Sequence, residues 1–169
     1  MKVFIIAAVS TDGLMGTDVS QRSLDWRSPE DARFFIDTTR AAGVMVMGSA
    51  TYKTFRLKRA PPGRRLIVYT HDPSSITGEN VETTQDDPKV LVDRLANEGY
   101  AALAVCGGAM INSLFLNAGL VDELYLTVEP VLFGTGIPLL KETAAARLAL
   151  LESTKLNPST LLLHYAVQR

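Results

Sequence analysis

Asp31, Phe35 and Thr39 stand four residues apart, the spacing that aligns side chains along one stripe of an α-helix. A carboxylate, an aromatic ring and a hydroxyl in that order can hold a flat heterocycle. The carboxylate accepts paired hydrogen bonds from an amidine-like edge, and the ring packs on the rest of the ligand. The helix has a start signal: Ser28 can cap it, Pro29 suits its first turn, and Asp31 lies three residues beyond the cap. That placement also allows a second reading of Asp31, as a capping-box acid that stabilises the helix N-terminus by about 0.5–2 kcal/mol.

Other residues have spacing that suits phosphate or carboxylate chemistry. Gly48 follows an apolar run and precedes Ser49, Ala50 and Thr51; Gly107 and Gly108 follow another, before Ala109 and Met110. Glycine at a strand-to-helix junction lets backbone N–H groups approach a phosphate, although it also serves a plain tight turn. Arg64, after Pro62 and Gly63, has the planar fork that matches a carboxylate, and is otherwise an ordinary solvated arginine. Tyr125 and Thr127 face one side of a strand by alternation. They either serve a site or fill the core.

Elements that can position these groups follow from the apolar pattern. The sequence predicts strands at 2–9, 44–47, 65–70, 80–84, 101–106, 122–129, 147–155 and 160–167, and helices at 29–41, 49–54, 88–98 and 108–118. Alternating strands and helices indicate an α/β fold in three layers: a mostly parallel mixed sheet of about eight strands, flanking helices and a C-terminal antiparallel hairpin through Asn157-Pro158-Ser159. At 169 residues the chain is read as one domain, 1–169. Residues 16–26 lack a hydrophobic period and read as a mobile loop before the Asp31 helix.

A net charge of -1 gives no electrostatic case for nucleic acid or an anionic membrane. The apolar N-terminal run is too short to span a bilayer and lacks an export cleavage context. The lone Cys106 suits a reducing, cytoplasmic setting. No Cys, His and acid cluster has metal-site spacing, so no metal is expected. The chain is expected to be a monomer or homodimer.

The run Trp26, Pro29, Asp31, Phe35, Thr39 resembles the dihydrofolate reductase family, in which W-x-x-P-x-D-x-x-x-F-x-x-x-T recurs. The resemblance implies NADPH-dependent reduction of 7,8-dihydrofolate, with dihydrofolate or a related pterin as ligand. Asp31 would bind the pterin and support N5 protonation, with Thr127 orienting it, Trp26 holding a water and Tyr125 near the nicotinamide. Phe35, Ala8 and the carbonyls of Ile6 and Cys106 would line the pterin pocket, and Arg64 would take the folate α-carboxylate. NADPH would lie on Ala8, Gly16, Leu24, the Gly48–Ser49–Ala50–Thr51 turn, Thr70, His71 and the Gly107–Gly108–Ala109–Met110 turn. Ser49 replaces the family's phosphate-binding arginine, with His71, then Lys53, as the substitute cation. Gly134 to Pro138 instead looks like the riboflavin-pathway pyrimidine reductases, which share this fold. Their activity is the alternative, beside a non-catalytic nucleotide- or pterin-binding protein.

Overall fold

The computed structural model describes residues 1–142 and 145–168, apart from the side chain of Leu24. Eight strands form one sheet: β1 (Lys2–Ser10), β2 (Val44–Gly48), β3 (Arg65–Tyr69), β4 (Val81–Thr84), β5 (Ala102–Val105), β6 (Glu123–Glu129), β7 (Arg147–Lys155) and β8 (Leu161–Gln168). Four helices connect them: α1 (Pro29–Ala42), α2 (Ser49–Phe55), α3 (Pro88–Asn97) and α4 (Ala109–Asn117). The spatial order is β4-β3-β2-β5-β1-β6-β8-β7, parallel through β6, with β8 antiparallel to β6 and β7 antiparallel to β8. The α/β sheet and its C-terminal hairpin thus follow the sequence expectation.

Two cores explain why the central strands read as continuous apolar runs. Val3, Ile5, Val46, Ile67, Leu103 and Val105 point to one face, under Leu91 and Leu95 of α3 and Phe115 of α4. Their neighbours Phe4, Ile6, Met47, Val68, Ala104 and Cys106 point to the other, under Phe34 and Phe35 of α1 and Tyr52 of α2. Strict alternation places successive residues on opposite faces, and both faces here are covered, as in other parallel sheets. Among the described residues no helix is long and apolar enough to cross a membrane.

The sheet opens where the site must sit. Chain order reverses between β1, which leads through α1 to β2, and β5, which leads through α4 to β6. The β1–β5 pairing ends at Ile5 and Val105, whereas β1 stays paired with β6 as far as Ser10 and Glu129. Such a switch point at the carboxyl ends of the strands forms a crevice without any special side chain.

The segment after β6 closes one side of that crevice. Asp12 accepts hydrogen bonds from the N–H groups of Phe133 at 3.2 Å and Gly134 at 2.7 Å, and from Ser10 Oγ at 2.6 Å. Ile137 exchanges backbone hydrogen bonds with Met15 and Gly16. Gly136 is needed there, because a Cβ would run into the Gly16 carbonyl oxygen. The 16–26 stretch is therefore stitched down on one side. On the other, Thr54 Oγ1 donates to the Val19 carbonyl at 2.8 Å. It also contains one turn of 3₁₀-helix at Ser23–Asp25, in place of the uniform loop expected.

The Ser10 hydroxyl and the Gly134 N–H, with a smaller contribution from Phe133, hold the Asp12 carboxyl below its ordinary pKa of 3.8. A depressed carboxyl contributes stability above the unfolded value, which is lost as pH falls through the folded one. Asp12→Ala should therefore lower hydrogen-exchange protection of the Phe133 and Gly134 amides at neutral pH and leave β2 protected. The wild-type protein should lose the same protection only below pH 3.8. Equal protection in the two proteins at neutral pH would show that Asp12 does not hold this segment.

Candidate active site

Helix α1 starts as its sequence dictates, with one substitution of roles. Ser28 has extended backbone angles, its Oγ accepts from the Asp31 N–H at 3.2 Å, and Pro29 occupies the first turn. In a capping box the acid three residues on would reach back to the Ser28 N–H. Here Glu129, from the end of β6, takes that N–H at 2.8 Å and the Ser28 hydroxyl at 2.8 Å. Its other oxygen accepts from Thr160 Oγ1 at 2.8 Å. The Asp31 carboxyl is thus released from the cap, which corrects the capping-box reading of that side chain.

Asp31 turns instead towards the crevice. It is only 3% exposed, and the Thr127 hydroxyl lies near enough to lower its pKa. Thr127 pairs in register with Ala8, just beyond the end of the β1–β5 pairing. Burial pushes the Asp31 carboxyl above the ordinary carboxylate range; the Thr127 hydroxyl and the Arg27 charge pull it back, and the Glu129 charge adds to the rise. Asp31 and Thr127 are thus neighbours, and half-buried Ala8 pairs with Thr127.

Arg27 completes the group and was not foreseen. Its Nη1 lies 3.5 Å from Asp31 Oδ2, with both side chains nearly buried. Its guanidinium stands over the Phe35 ring, 5.3 Å from the centroid, at the spacing of a cation–π contact. Phe35 also stacks on Phe55 of α2 at 6.4 Å. One turn further along α1, Arg64 donates to Thr39 Oγ1 at 2.9 Å. The stripe is therefore Arg27, Asp31, Phe35, Thr39, with Arg64 at its far end. Arg27 could have been found by extending the four-residue spacing one step back from Asp31. Glu129 could have been found by extending the alternation of Tyr125 and Thr127 one step forward.

The glycine turns meet across the sheet. Gly48 N–H donates to the Gly107 carbonyl at 2.8 Å, and the Gly107–Gly108 peptide is cis. A Cβ on Gly48 would press on Ile111 at 3.0 Å, and one on Gly108 would press on Thr51 Oγ1 at 3.1 Å. Gly48 caps α2 and Gly108 caps α4, neither with a side-chain hydrogen bond. Ser49, Ala50 and Thr51 thus begin one helix, and Ala109 and Met110 the other, with their first N–H groups free of intrahelical acceptors. This paired cradle fits a pyrophosphate. Side-chain charge is sparse beside it: Met110 is 70% exposed and apolar, and exposed Lys53 lies in the last turn of α2.

The remaining candidates are dispersed. Thr70 Oγ1 caps the turn at Asp72, and exposed His71 contacts Gln85 at 3.4 Å, both just past β3. Gly16 is buried in the 16–26 stretch; the Leu24 side chain lies outside the described residues. Ile6 and Cys106 border the opening of the sheet, and burial raises the Cys106 thiol pKa. Trp26 packs edge-on against Phe133 at 5.3 Å, and its buried Nε1 has no partner among the described residues. Tyr125 is committed elsewhere, its ring stacked on His164 at 4.2 Å and its hydroxyl on Glu123 at 3.1 Å. Burial, with the Glu123 charge, pushes the Tyr125 pKa up to about 12.

This architecture is shared with known proteins. The uncharacterized protein YwjB of Bacillus subtilis is 27% identical over 172 residues, covering 97% of each chain. A pyrimidine reductase-like protein from Corynebacterium diphtheriae superposes with a TM-score of 0.80 at 19% identity, over 99% of this chain and 92% of that one. Dihydrofolate reductase from Enterococcus faecalis, solved with NADP(H), gives 0.73 at 21% identity over 99% and 97%. The model of the RibD C-terminal domain matches residues 1–162, and the chain belongs to that family.

Proposed function

We propose that this chain is an NADPH-dependent reductase that transfers hydride to a pterin or related pyrimidine held by Asp31, with 7,8-dihydrofolate reduced to 5,6,7,8-tetrahydrofolate. One observation carries the reading. The Asp31 carboxyl is buried, excused from capping by Glu129, and set beside Arg27 and near Thr127 where the sheet opens. A buried carboxyl in a crevice with a shifted pKa and a fixed orientation is a functional candidate on physical grounds.

Asp31 would accept hydrogen bonds from the ring N3–H and 2-amino group and favour a proton at N5. Burial raises its pKa above the ordinary carboxylate value, the direction that favours the protonated form. Thr127 fixes the carboxyl, Phe35 packs on the ring, and Trp26 holds a water near the acid. The carbonyls of Ile6 and Cys106 and the small Ala8 would bound the ring, and Tyr125 would lie near the nicotinamide. Arg64, already directed by Thr39, would pair with the tail carboxylate. The cofactor would be held by the backbone at Gly48, Ser49, Ala50 and Thr51 and at Gly107, Gly108, Ala109 and Met110. Thr70 and His71 would meet its adenosine end, and Gly16 and Leu24 its nicotinamide end. When bound, NADPH supplies the hydride.

Membership of the RibD C-terminal domain family, together with the Asp12-anchored Phe133–Pro138 segment, supports a second reading. It is reduction of a pyrimidine carrying a ribosyl or ribityl phosphate. Loss of nicotinamide absorbance with each substrate decides between them. Turnover of dihydrofolate supports the first reading and turnover of only the phosphorylated pyrimidine the second. Binding without turnover of either refutes a reductase.

Asp31→Asn should keep α1, because Ser28 and Glu129 hold its start. Hydride transfer should fall by about 10²–10⁴-fold, the range of general acid–base effects, most strongly at high pH where little substrate is already protonated. Single-turnover rates across pH, beside circular dichroism, measure this; a folded variant with normal rates would remove Asp31 from the chemistry.

Arg64→Ala should weaken dihydrofolate binding by about 1.5–3 kcal/mol, as for a lost charge-assisted hydrogen bond. A pterin without the glutamyl tail should bind nearly unchanged. Equal losses for both ligands would mean that Arg64 serves the scaffold.

With Ser49 in place of a cation, NADPH should be preferred over NADH, but weakly. Ser49→Arg should move the ratio of kcat/KM values towards NADPH. A wild-type preference for NADH would refute the proposed phosphate end.

A further inference from the structure

The two edges of the sheet are built differently. β4 is four residues long, and its Glu82 is held in ion pairs with Arg65 and Arg94. Short, charged edges resist pairing with another chain. β7 spans nine residues, Arg147–Lys155, and pairs only with β8. It contains no proline, and Leu148, Leu150 and Leu151 are 42%, 55% and 53% exposed. Its outward backbone groups and these leucines make a long apolar edge.

The register with β8 shows what fits that edge. Arg147 pairs with Gln168, Leu148 with Val167, Ala149 with Ala166, Leu150 with Tyr165 and Glu152 with His164. Leu151 is the extra residue of a bulge between Leu150 and Glu152. Arg147, Ala149 and Glu152 therefore share one face of the sheet, and Leu148 and Leu150 share the other. Without the bulge, Arg147 and Glu152 would stand on opposite faces. Arg147 has no ion-pair partner among the described residues, and exposed Glu152 accepts only from its neighbour Thr154 Oγ1, at 2.9 Å.

We infer that β7 is an interface with a second copy of this chain, paired antiparallel about a two-fold axis through Ala149. In that register Arg147 lies opposite Glu152 of the second copy, Leu148 opposite Leu150, and Ala149 opposite Ala149. The axis makes each unlike pair twice, as an isologous interface requires. Opposite charges thus meet on one face and leucines on the other, with the smallest side chain at the axis. A strand of other sequence would need this pattern in reverse; a second copy has it by symmetry. The two sheets become one continuous sheet, and neither β7 edge remains exposed. β6 and β8 lie between β7 and the β1 side of the crevice, so the inference stands apart from the proposed reaction.

Sedimentation of the full chain over a concentration series tests this, with circular dichroism to check the fold of each variant. Wild type should sediment as a dimer that dissociates on dilution. Arg147→Glu and Glu152→Arg each set like charges opposite one another twice. Either should raise the dimer Kd by about tenfold or more. The double variant, carrying both changes, should recover the wild-type Kd. Ala149→Cys gives a covalent readout that does not depend on charge. Paired Cα atoms on adjacent antiparallel strands lie about 4.5–5.5 Å apart, within disulfide reach, and the native Cys106 is buried. Mild oxidation should give a disulfide-linked dimer on a non-reducing gel. Thr154→Cys, which this register sets far from its own copy, should give none. A wild-type monomer at every concentration leaves the edge to solvent or to another partner, and overturns the inference. So does a dimer that neither charge variant weakens, or one that Ala149→Cys does not cross-link.

Discussion

Helix α1 is anchored by an acid that does not belong to it. Glu129 is 1% exposed and accepts three hydrogen bonds, two from Ser28 and one from Thr160. A buried carboxyl with fewer partners would cost several kcal/mol. With them it ties the start of α1 to the ends of β6 and β8. The Ser28 hydroxyl donates to Glu129 and accepts from the Asp31 N–H, so one chain of hydrogen bonds sets where the helix begins. Had Asp31 filled the capping role, its carboxyl would face its own helix end. Because Glu129 fills it, the carboxyl of Asp31 meets Thr127 and Arg27 at the mouth of the sheet.

That displacement matters because of where the sheet parts. Between β1 and β5 the pairing stops at Ile5 and Val105, while β6 carries Thr127 further up alongside Ala8. Asp31 hangs over this gap from α1, and the Gly48 and Gly107–Gly108 turns border it from β2 and β5. The buried acid and the glycine turns are thus two sides of one topological feature. Each is built by a different device: a buried side chain on one side, and backbone free of Cβ atoms on the other.

Much of this was legible in the chain. Continuous Val, Ile and Leu runs mark strands covered on both faces, and Ser28-Pro29 marks a helix start. The four-residue stripe and the glycine turns mark side chains and amides that share a surface. What was not legible is contact between distant segments. Nothing local says that Glu129 reaches Ser28, 101 residues away, or that Asp12 takes the Phe133 and Gly134 amides. The same limit applies to Tyr125. Alternation puts it on the face of Thr127, but only packing shows its hydroxyl engaged with Glu123 and its ring with His164. Arg27 was overlooked for another reason. It precedes the helix, where periodicity is not ordinarily applied, although the chain already follows the i, i+4 spacing there.

The two arginines give the stripe its polarity. Arg27 and Arg64 lie at its opposite ends, and each has a buried Nε without a partner among the described residues. Burial lowers the pKa of both; Asp31 and Glu129 partly oppose this at Arg27, whereas Arg40 adds to the lowering at Arg64. An unpaired buried N–H costs about 1–3 kcal/mol, a cost that folding alone does not repay and that a ligand acceptor would offset. The two ends differ in what they can accept. Arg27 is balanced by the neighbouring acids Asp31 and Glu129. Arg64 has Thr39 as its hydrogen-bond partner and a second cation nearby, so a carboxylate would relieve more. The stripe is thus charge-balanced at one end and cationic at the other.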